Sequence, residues 1–161
     1  MSDNYREAYE LNLRRTGEID PYPLLNWLTG VLIVERIGTA RDRTGGISQT
    51  MDRFDELITT AKTHVTGQAE RDTSFWNSVM AVDCDLLARL KRGGLEKKAV
   101  RESLVEAYRR TFLLASPRES GSVLDQLETV AYLLDRSRSG KPVASALREL
   151  RKALAKGPDQ S

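Results

Sequence analysis

The stretch from Thr73 to Pro117, TSFWNSVMAVDCDLLARLKRGGLEKKAVRESLVEAYRRTFLLASP, decides the fold of this 161-residue chain. It contains two segments of helical hydrophobic periodicity separated by Gly93-Gly94, a pair typical of a tight turn between helices. An aromatic pair, Phe75-Trp76, opens the first segment. Two helices joined in this way bury their apolar faces by stacking on neighbouring pairs. The stretch therefore predicts a protein of paired helices, a class that mostly binds other molecules.

The same periodicity continues on both sides of this stretch, with apolar residues recurring at i, i+3, i+4 and i+7. It predicts about seven helices, over residues 5–15, 24–37, 47–65, 75 to about 93, 100–117, 122–134 and 142–154. Ser122, three residues before Asp125, indicates the capped start of the sixth helix, and Pro142 fits the first turn of the seventh. Connectors are predicted over residues 20–23, 39–46 and 67–73, and a frayed tail over residues 157–161. We therefore expect one all-α domain spanning residues 1–161.

The composition is typical of a globular protein rather than a disordered one, with 40% hydrophobic and 30% charged residues. No apolar run approaches the roughly 18 residues that suggest a membrane span. The first residues are polar and mixed in charge, unlike a signal peptide. These features predict a cytoplasmic protein that does not enter a membrane.

Charge is distributed unevenly along the chain, although the formal net charge is only +2. Residues 89–161 carry 16 Lys and Arg against 9 Asp and Glu, whereas residues 1–88 carry 9 against 14. Such polarity can attract an anionic ligand or let subunits assemble head to tail as a homo-oligomer, and it also fits two solvated sets of helix faces. Because the basic residues are interleaved with acidic ones and aromatic residues are few, we predict no nucleic-acid binding.

No group of side chains in the sequence predicts catalysis, a metal site or a cofactor. His64 is the only histidine, and the only cysteine, Cys84, lies between Asp83 and Asp85, whose charges would raise its pKa and weaken it as a nucleophile. Residues two apart on a helix point in different directions, so the aspartates cannot readily share a proton or a metal. Asp83 can face a groove and accept hydrogen bonds from a ligand, or it can be a solvated or ion-paired acid. We expect Cys84 to be a packing residue and the protein not to be an enzyme.

Two segments resemble parts of tetratricopeptide repeats, which pair two antiparallel helices through small residues that allow close packing. Gly30, in the run NWLTGVL, resembles the small position of a first helix. Leu104, Tyr108 and Thr111, followed by Pro117, resemble a degenerate second helix. This resemblance implies a tetratricopeptide-like, right-handed stack of antiparallel helix pairs.

A closer resemblance is to the tetratricopeptide-repeat sensor domain, also described as the TRAF-binding domain of apoptosis-signalling kinase-kinase-kinases and their bacterial relatives. Its motifs are matched in order over roughly residues 5–135: Ala8-Tyr9, the connector DPYPLLN at residues 20–26, Phe75-Trp76 followed by Asp83, and Ser122 with Gln126-Leu127. The chain departs from the family between the tryptophan and the acid, where Met80 or Ala81 stands in place of a threonine.

The resemblance implies a non-enzymatic sensor or adaptor in bacterial signalling or defence. Such a module would bind a small nucleotide-derived ligand and relay its presence to an effector protein, either fused to it or docked on it. The chain would then be one module of a longer protein or a separate docking subunit. The alternative is a protein–protein interaction scaffold that binds a peptide or a partner helix and no small molecule.

The candidate ligand-binding residues are Tyr22, Asn26, Trp76, Asn77, Asp83, Arg110 and Gln126. Trp76 could stack on a base while the amide side chains read the edge of that base, and Arg110 could neutralise a phosphate. Each residue also has a structural explanation, because tryptophan commonly packs between helices and arginine commonly lies on a solvated face. The sequence leaves both explanations open.

Overall fold

A computed structural model describes residues 2–38 and 45–156 of the chain. These residues form eight α-helices and no strand: α1 (Ser2–Thr16), α2 (Pro21–Ile37), α3 (Gly45–Asp52), α4 (Phe54–Arg71), α5 (Phe75–Arg92), α6 (Lys98–Phe112), α7 (Pro117–Leu134) and α8 (Lys141–Ala155). The predicted all-α class is confirmed, and the helix count is close to the predicted seven. The predicted loop at residues 39–44 and the predicted tail at residues 157–161 lie outside the described residues.

The turn between α5 and α6 has the geometry that its two glycines predict. Gly93 and Gly94 have φ angles of +86° and +94°, in the left-handed region that glycine enters without a steric penalty. Leu95 follows and is fully buried, so the turn is also tied into the core. Gly93 and Gly94 therefore end α5 sharply and turn the chain back towards α5.

The start of α2 corrects the prediction of a stiff connector over residues 20–23. Asp20 is the N-cap, and its carboxylate accepts a hydrogen bond from the backbone N–H of Tyr22 at 3.1 Å. Pro21 occupies the first helical position, where a missing N–H costs no hydrogen bond. The prolines are therefore the first turn of α2, and Tyr22 is a helical residue.

The region from residue 45 to residue 74 differs from the prediction in two ways. The predicted helix 47–65 is interrupted at Arg53, which separates α3 from α4. Gly45-Gly46, predicted to be part of a loop, begin α3, and most of the loop predicted over residues 67–73 belongs to α4. Hydrophobic periodicity did not show the break because buried residues continue across it, from Thr50 to Phe54.

The start of α7 also corrects the prediction, which placed the cap at Ser122. The N-cap is Ser116, whose hydroxyl accepts from the backbone N–H of Glu119 at 3.3 Å, while the Glu119 carboxylate accepts from the Ser116 N–H at 2.8 Å. Pro117 opens α7 instead of closing α6, which ends at Phe112. Ser122 lies within the helix and is exposed.

The helices pack as pairs around one hydrophobic core. The most extensive packing is between helices that are consecutive in the chain: α1 with α2, α4 with α5, and α7 with α8. Helix α2 also contacts α4, α5 and α7, whereas α6 packs against α5 and α8. Paired packing of this kind is consistent with the predicted helical-repeat stack, and it places α2 where it meets both α5 and α7. No helix of the described residues is long and apolar enough to cross a membrane.

Candidate functional site

A groove lies where α2, α5 and α7 meet, and we call it the α2–α5–α7 groove. Helix α2 lines it with Asn26 and Thr29, and α7 lines it with Gln126 and Val130, in each case on one helical face. The fully buried Leu147 of α8 forms part of its floor. The enclosed volume is about 60 Å³, and a shallower extension of about 280 Å³ continues between α2 and α7.

Helix α5 contributes the longest wall of the groove. Trp76, Met80, Asp83 and Leu87 recur at helical spacing, so that all four line the same opening. The wall is apolar except for Asp83, which stands near its middle. The groove is therefore a mostly apolar surface with a single carboxylate in its wall.

Two aromatic side chains stand at the groove and remain exposed. Tyr22 is 59% exposed and Trp76 is 46% exposed. The Trp76 ring makes an edge contact with Phe75 at 4.9 Å between centroids, and the Tyr22 ring makes one with Tyr5 at 6.3 Å. Exposed aromatic rings held by neighbouring rings offer a large contact area at a low cost in conformational entropy.

Asp83 is linked to the core by Tyr108 of α6. The Tyr108 hydroxyl donates a hydrogen bond to Oδ1 of Asp83 at 2.7 Å, and the Tyr108 side chain is fully buried. Burial raises the pKa of Asp83 to about 6, while the hydrogen bond from Tyr108 acts in the opposite direction. Burial, together with the charge of Asp83, raises the pKa of Tyr108 well above its ordinary value, so the hydroxyl keeps its proton and acts as a donor.

Five of the seven predicted ligand-binding residues lie together in this groove, and they are Tyr22, Asn26, Trp76, Asp83 and Gln126. They come from three helices that are far apart in the sequence. Their common location is consistent with a binding site.

The other two predicted residues, Asn77 and Arg110, do not line the groove. The Asn77 side chain donates to the carbonyl oxygen of Asp72 at 3.1 Å, which ties down the start of α5. Arg110 is largely exposed on α6 and pairs with Glu106 at 3.1 Å, one turn earlier on the same helix. The local contacts of both residues are explained without a ligand.

Arg36, Arg109 and Trp27, whose side chains could also neutralise a phosphate or stack on a base, have structural contacts of their own. Arg36 donates to the carbonyl oxygen of Leu90 at 2.6 Å, and Arg109 donates to that of Ala153 at 3.1 Å, so both guanidinium groups join helices. Trp27 stacks on Tyr9 with 5.9 Å between ring centroids, away from the groove.

The groove also contains residues that sequence reasoning did not select. Met80 stands where the resembling family has a threonine, and Val130 continues the apolar face of α7; both line the groove. Tyr108 was assigned to helix packing, and its hydrogen bond to Asp83 spans 25 residues of sequence. The apolar periodicity of α5 could have indicated Met80, whereas no local signal pairs Tyr108 with Asp83.

Cys84 and Asp85 lie beside Asp83 in sequence but not in the groove. Cys84 is buried, and burial, reinforced by the charges of Asp83 and Asp85, raises the pKa of its thiol to about 12. Asp85 pairs instead with Lys62 of α4 at 2.5 Å. The prediction that the two aspartates point in different directions is therefore confirmed, and no group of three or more metal-ligating side chains occurs in residues 2–38 and 45–156.

The electrostatic character of the groove follows from its lining. In the described part of the chain, the ionisable residues that line the groove and its extension are Asp83, Tyr22 and Tyr5, and none is a lysine or an arginine. Such a lining favours apolar and cationic groups and disfavours phosphates. The narrow part of the groove, at about 60 Å³, is well below the roughly 300–1,000 Å³ typical of sites for drug-sized ligands, and the groove reaches the lower end of that range only together with its extension of about 280 Å³. No protein-family model, curated protein or solved structure matches this chain.

Proposed function

We propose that this chain is a non-enzymatic helical-repeat adaptor that binds a segment of a partner protein in the α2–α5–α7 groove. The observation that carries the proposal is the lining itself, because three helices each contribute one face to a single apolar groove with exposed aromatic residues. Grooves of this kind bind amphipathic helices or extended peptides through apolar anchors. The partner would be an effector protein, fused or docked, in bacterial signalling or defence, as the sensor-domain resemblance implies. The location would be cytoplasmic.

Occupancy of the groove can be relayed through the packing of α2. This helix contacts α4, α5 and α7, so a segment inserted beside it acts on both the α4–α5 pair and the α7–α8 pair. In repeat architectures a small change at one interface alters the orientation of the neighbouring pairs. The relay requires that the partner bind the two arrangements with different affinities.

A sensor for a nucleotide-derived small molecule is the second candidate function. It is favoured by the common location of Tyr22, Trp76, Asn26 and Gln126, which could stack on a base and hydrogen-bond to its edge. The lining offers no cation for a phosphate, and the narrow part of the groove beside Trp76 and Asp83, at about 60 Å³, would have to widen to admit a base. For these reasons the geometry favours a peptide segment over a nucleotide.

The first experiment is selection from a displayed peptide library on the immobilised protein, followed by affinity measurements on the enriched peptides. Trp76→Ala should weaken their binding by about tenfold or more, because exposed aromatic anchors commonly dominate such interfaces. Tyr132→Ala is the matched control, since Tyr132 is 63% exposed on α7 and does not line the groove. If the affinity of the peptides falls equally in both variants, or in neither, the peptides bind elsewhere and the proposal is contradicted.

A thermal-shift series with nucleotides, cyclic oligonucleotides and nicotinamide derivatives tests the second candidate. Binding to the folded state raises the melting temperature, because it adds RT ln(1 + [L]/Kd) to the free energy of unfolding. A stabilisation that disappears in Trp76→Ala, together with a library that yields no groove-binding peptide, would support the small-molecule sensor and overturn the peptide adaptor.

A further inference from the structure

We infer that Asp83 is the anchor for a cationic side chain, so that the partner segment bound in the groove presents a lysine or an arginine among apolar residues. The inference rests on the proposed function, and it adds the chemistry of the occupant. It follows from the position of Asp83, from the walls around it and from the charges nearby.

The Asp83 carboxylate uses only part of its hydrogen-bonding capacity within the protein. Oδ1 accepts from the Tyr108 hydroxyl at 2.7 Å, and among the described residues no other side chain donates to Asp83. Lys62 of α4 is paired with Asp85, the neighbouring acid on α5, and not with Asp83. One carboxylate oxygen is therefore left for a donor that enters from the groove.

The surroundings of Asp83 make its ionised form unfavourable in the free protein. A carboxylate in apolar surroundings is unfavourable unless it is paired, and pairing with an entering cation relieves that penalty. Burial raises its pKa to about 6, which still leaves it mostly ionised at neutral pH. An ionised carboxylate of this kind can form a charge-assisted hydrogen bond, which is stronger than a neutral one.

The walls around Asp83 fit a long basic side chain. Met80 and Leu87 lie on the same face of α5 as Asp83 and can pack against the methylene groups of a lysine or an arginine. The exposed rings of Tyr22 and Trp76 at the groove can face a cation favourably. An enclosed volume of about 60 Å³ suits part of one side chain more readily than a free nucleotide.

The charge of the lining points the same way. In the described part of the chain, Asp83 is the only charged side chain that lines the groove and its extension, and no lysine or arginine lies there to compete for it. A carboxylate without a neighbouring cation in the same lining attracts a basic group. The lining therefore favours a basic partner.

The test compares two matched forms of each groove-binding peptide, one with its basic residue and one with norleucine, an uncharged side chain of similar length. On the wild-type protein the norleucine form should bind at least tenfold more weakly. On the Asp83→Asn variant, which keeps the shape of the side chain, the affinities of the basic and norleucine forms should differ by less than about threefold. Asp125→Asn, an exposed acid of α7 that does not line the groove, should behave as the wild type.

A second measurement does not depend on finding a peptide. Nα-acetyl-lysine methylamide, titrated into 15N-labelled protein, should shift the signals of Met80, Asp83 and the Trp76 indole, whereas the norleucine analogue should shift them little. The lysine effect should disappear in Asp83→Asn.

The outcomes separate the inference from the proposed function. Peptides that are sensitive to Trp76→Ala but carry no basic residue, or that bind equally well to Asp83→Asn, would overturn the inference and leave the adaptor function standing. Equal shifts from the lysine and norleucine probes, or none from either, would also overturn it. A library that yields no peptide sensitive to Trp76→Ala would instead contradict the proposed function.

Discussion

Replacing Asp83 by asparagine should stabilise the free protein at neutral pH, although it removes the one carboxylate of the groove. Asparagine has nearly the same shape, and its side-chain oxygen can still accept the hydrogen bond from Tyr108. What the change removes is a negative charge in apolar surroundings. We therefore expect the variant to fold and to gain stability while it loses its affinity for cationic segments.

The magnitude follows from the pKa of Asp83, which burial raises from its ordinary 3.8 to about 6. Each pKa unit corresponds to about 1.4 kcal/mol, so ionised Asp83 lowers the free energy of unfolding by up to about 3 kcal/mol above pH 6. Between about pH 4 and pH 6 the folded protein binds the proton more tightly than the unfolded chain does. Stability from this group is therefore lost as the pH rises through that window, and it is recovered as the pH falls.

The assay is urea unfolding of wild type and Asp83→Asn at pH 7 and at pH 4, followed by circular dichroism. At pH 7 the variant should be more stable by about 1–3 kcal/mol, with a rise in Tm of roughly 2–4 °C for each kcal/mol. At pH 4 most of the difference should disappear, because Asp83 is then protonated in the folded protein. The exposed Asp125→Asn serves as the control and should change stability by less than about 0.5 kcal/mol at both values.

Two results would refute this reasoning. A variant that is less stable than the wild type at pH 7 would mean that Asp83 is paired with a cation in the free protein. A difference that stays the same at pH 7 and pH 4 would mean that the change acts through packing and not through charge.

Two further predictions test the helix boundaries and the tightest backbone contact. Ser116→Ala should lower the free energy of unfolding by about 1 kcal/mol, because it removes the cap of α7. Ser122→Ala, at an exposed position inside the helix, should leave stability unchanged or raise it slightly. Equal losses of stability in urea unfolding would contradict the assignment of the cap. Gly140→Ala should cost about 3 kcal/mol or more because the new Cβ would lie 2.1 Å from a backbone carbonyl oxygen at the end of α7. The control is Gly121→Ala, where nothing lies within 4 Å and the helix should gain about 0.5–1 kcal/mol; a well-tolerated alanine at position 140 would show that this contact relaxes easily.

Most of the helices could be predicted because each carries its own periodic apolar face. The errors came from local features that compete with periodicity. Ser116 and Ser122 are each followed three residues later by an acid, and the decisive difference is Pro117, which favours the first helical position after Ser116. The break at Arg53 had no comparable signal, because the buried face runs on through it.

The candidate site was partly predictable from sequence for a different reason. Trp76 and Asp83 lie seven residues apart, two turns along one helix, so their common face on α5 follows from helix geometry alone. Asn77 was grouped with them by its type and position, but its side chain turns back to cap the start of α5. The residue type therefore indicates which side chains can bind a ligand, whereas their position around the helix decides which of them face the groove.

The sequence by itself determined that the chain is all-α and which side of each helix is apolar, since both properties depend on neighbours within about two turns. Only the tertiary structure decided that the faces of α2, α5 and α7 meet around one groove and that Tyr108 reaches Asp83. Such contacts join segments that are far apart in the chain, and they depend on how the whole core packs. A local pattern specifies a surface that must be covered, but it does not specify which other surface covers it.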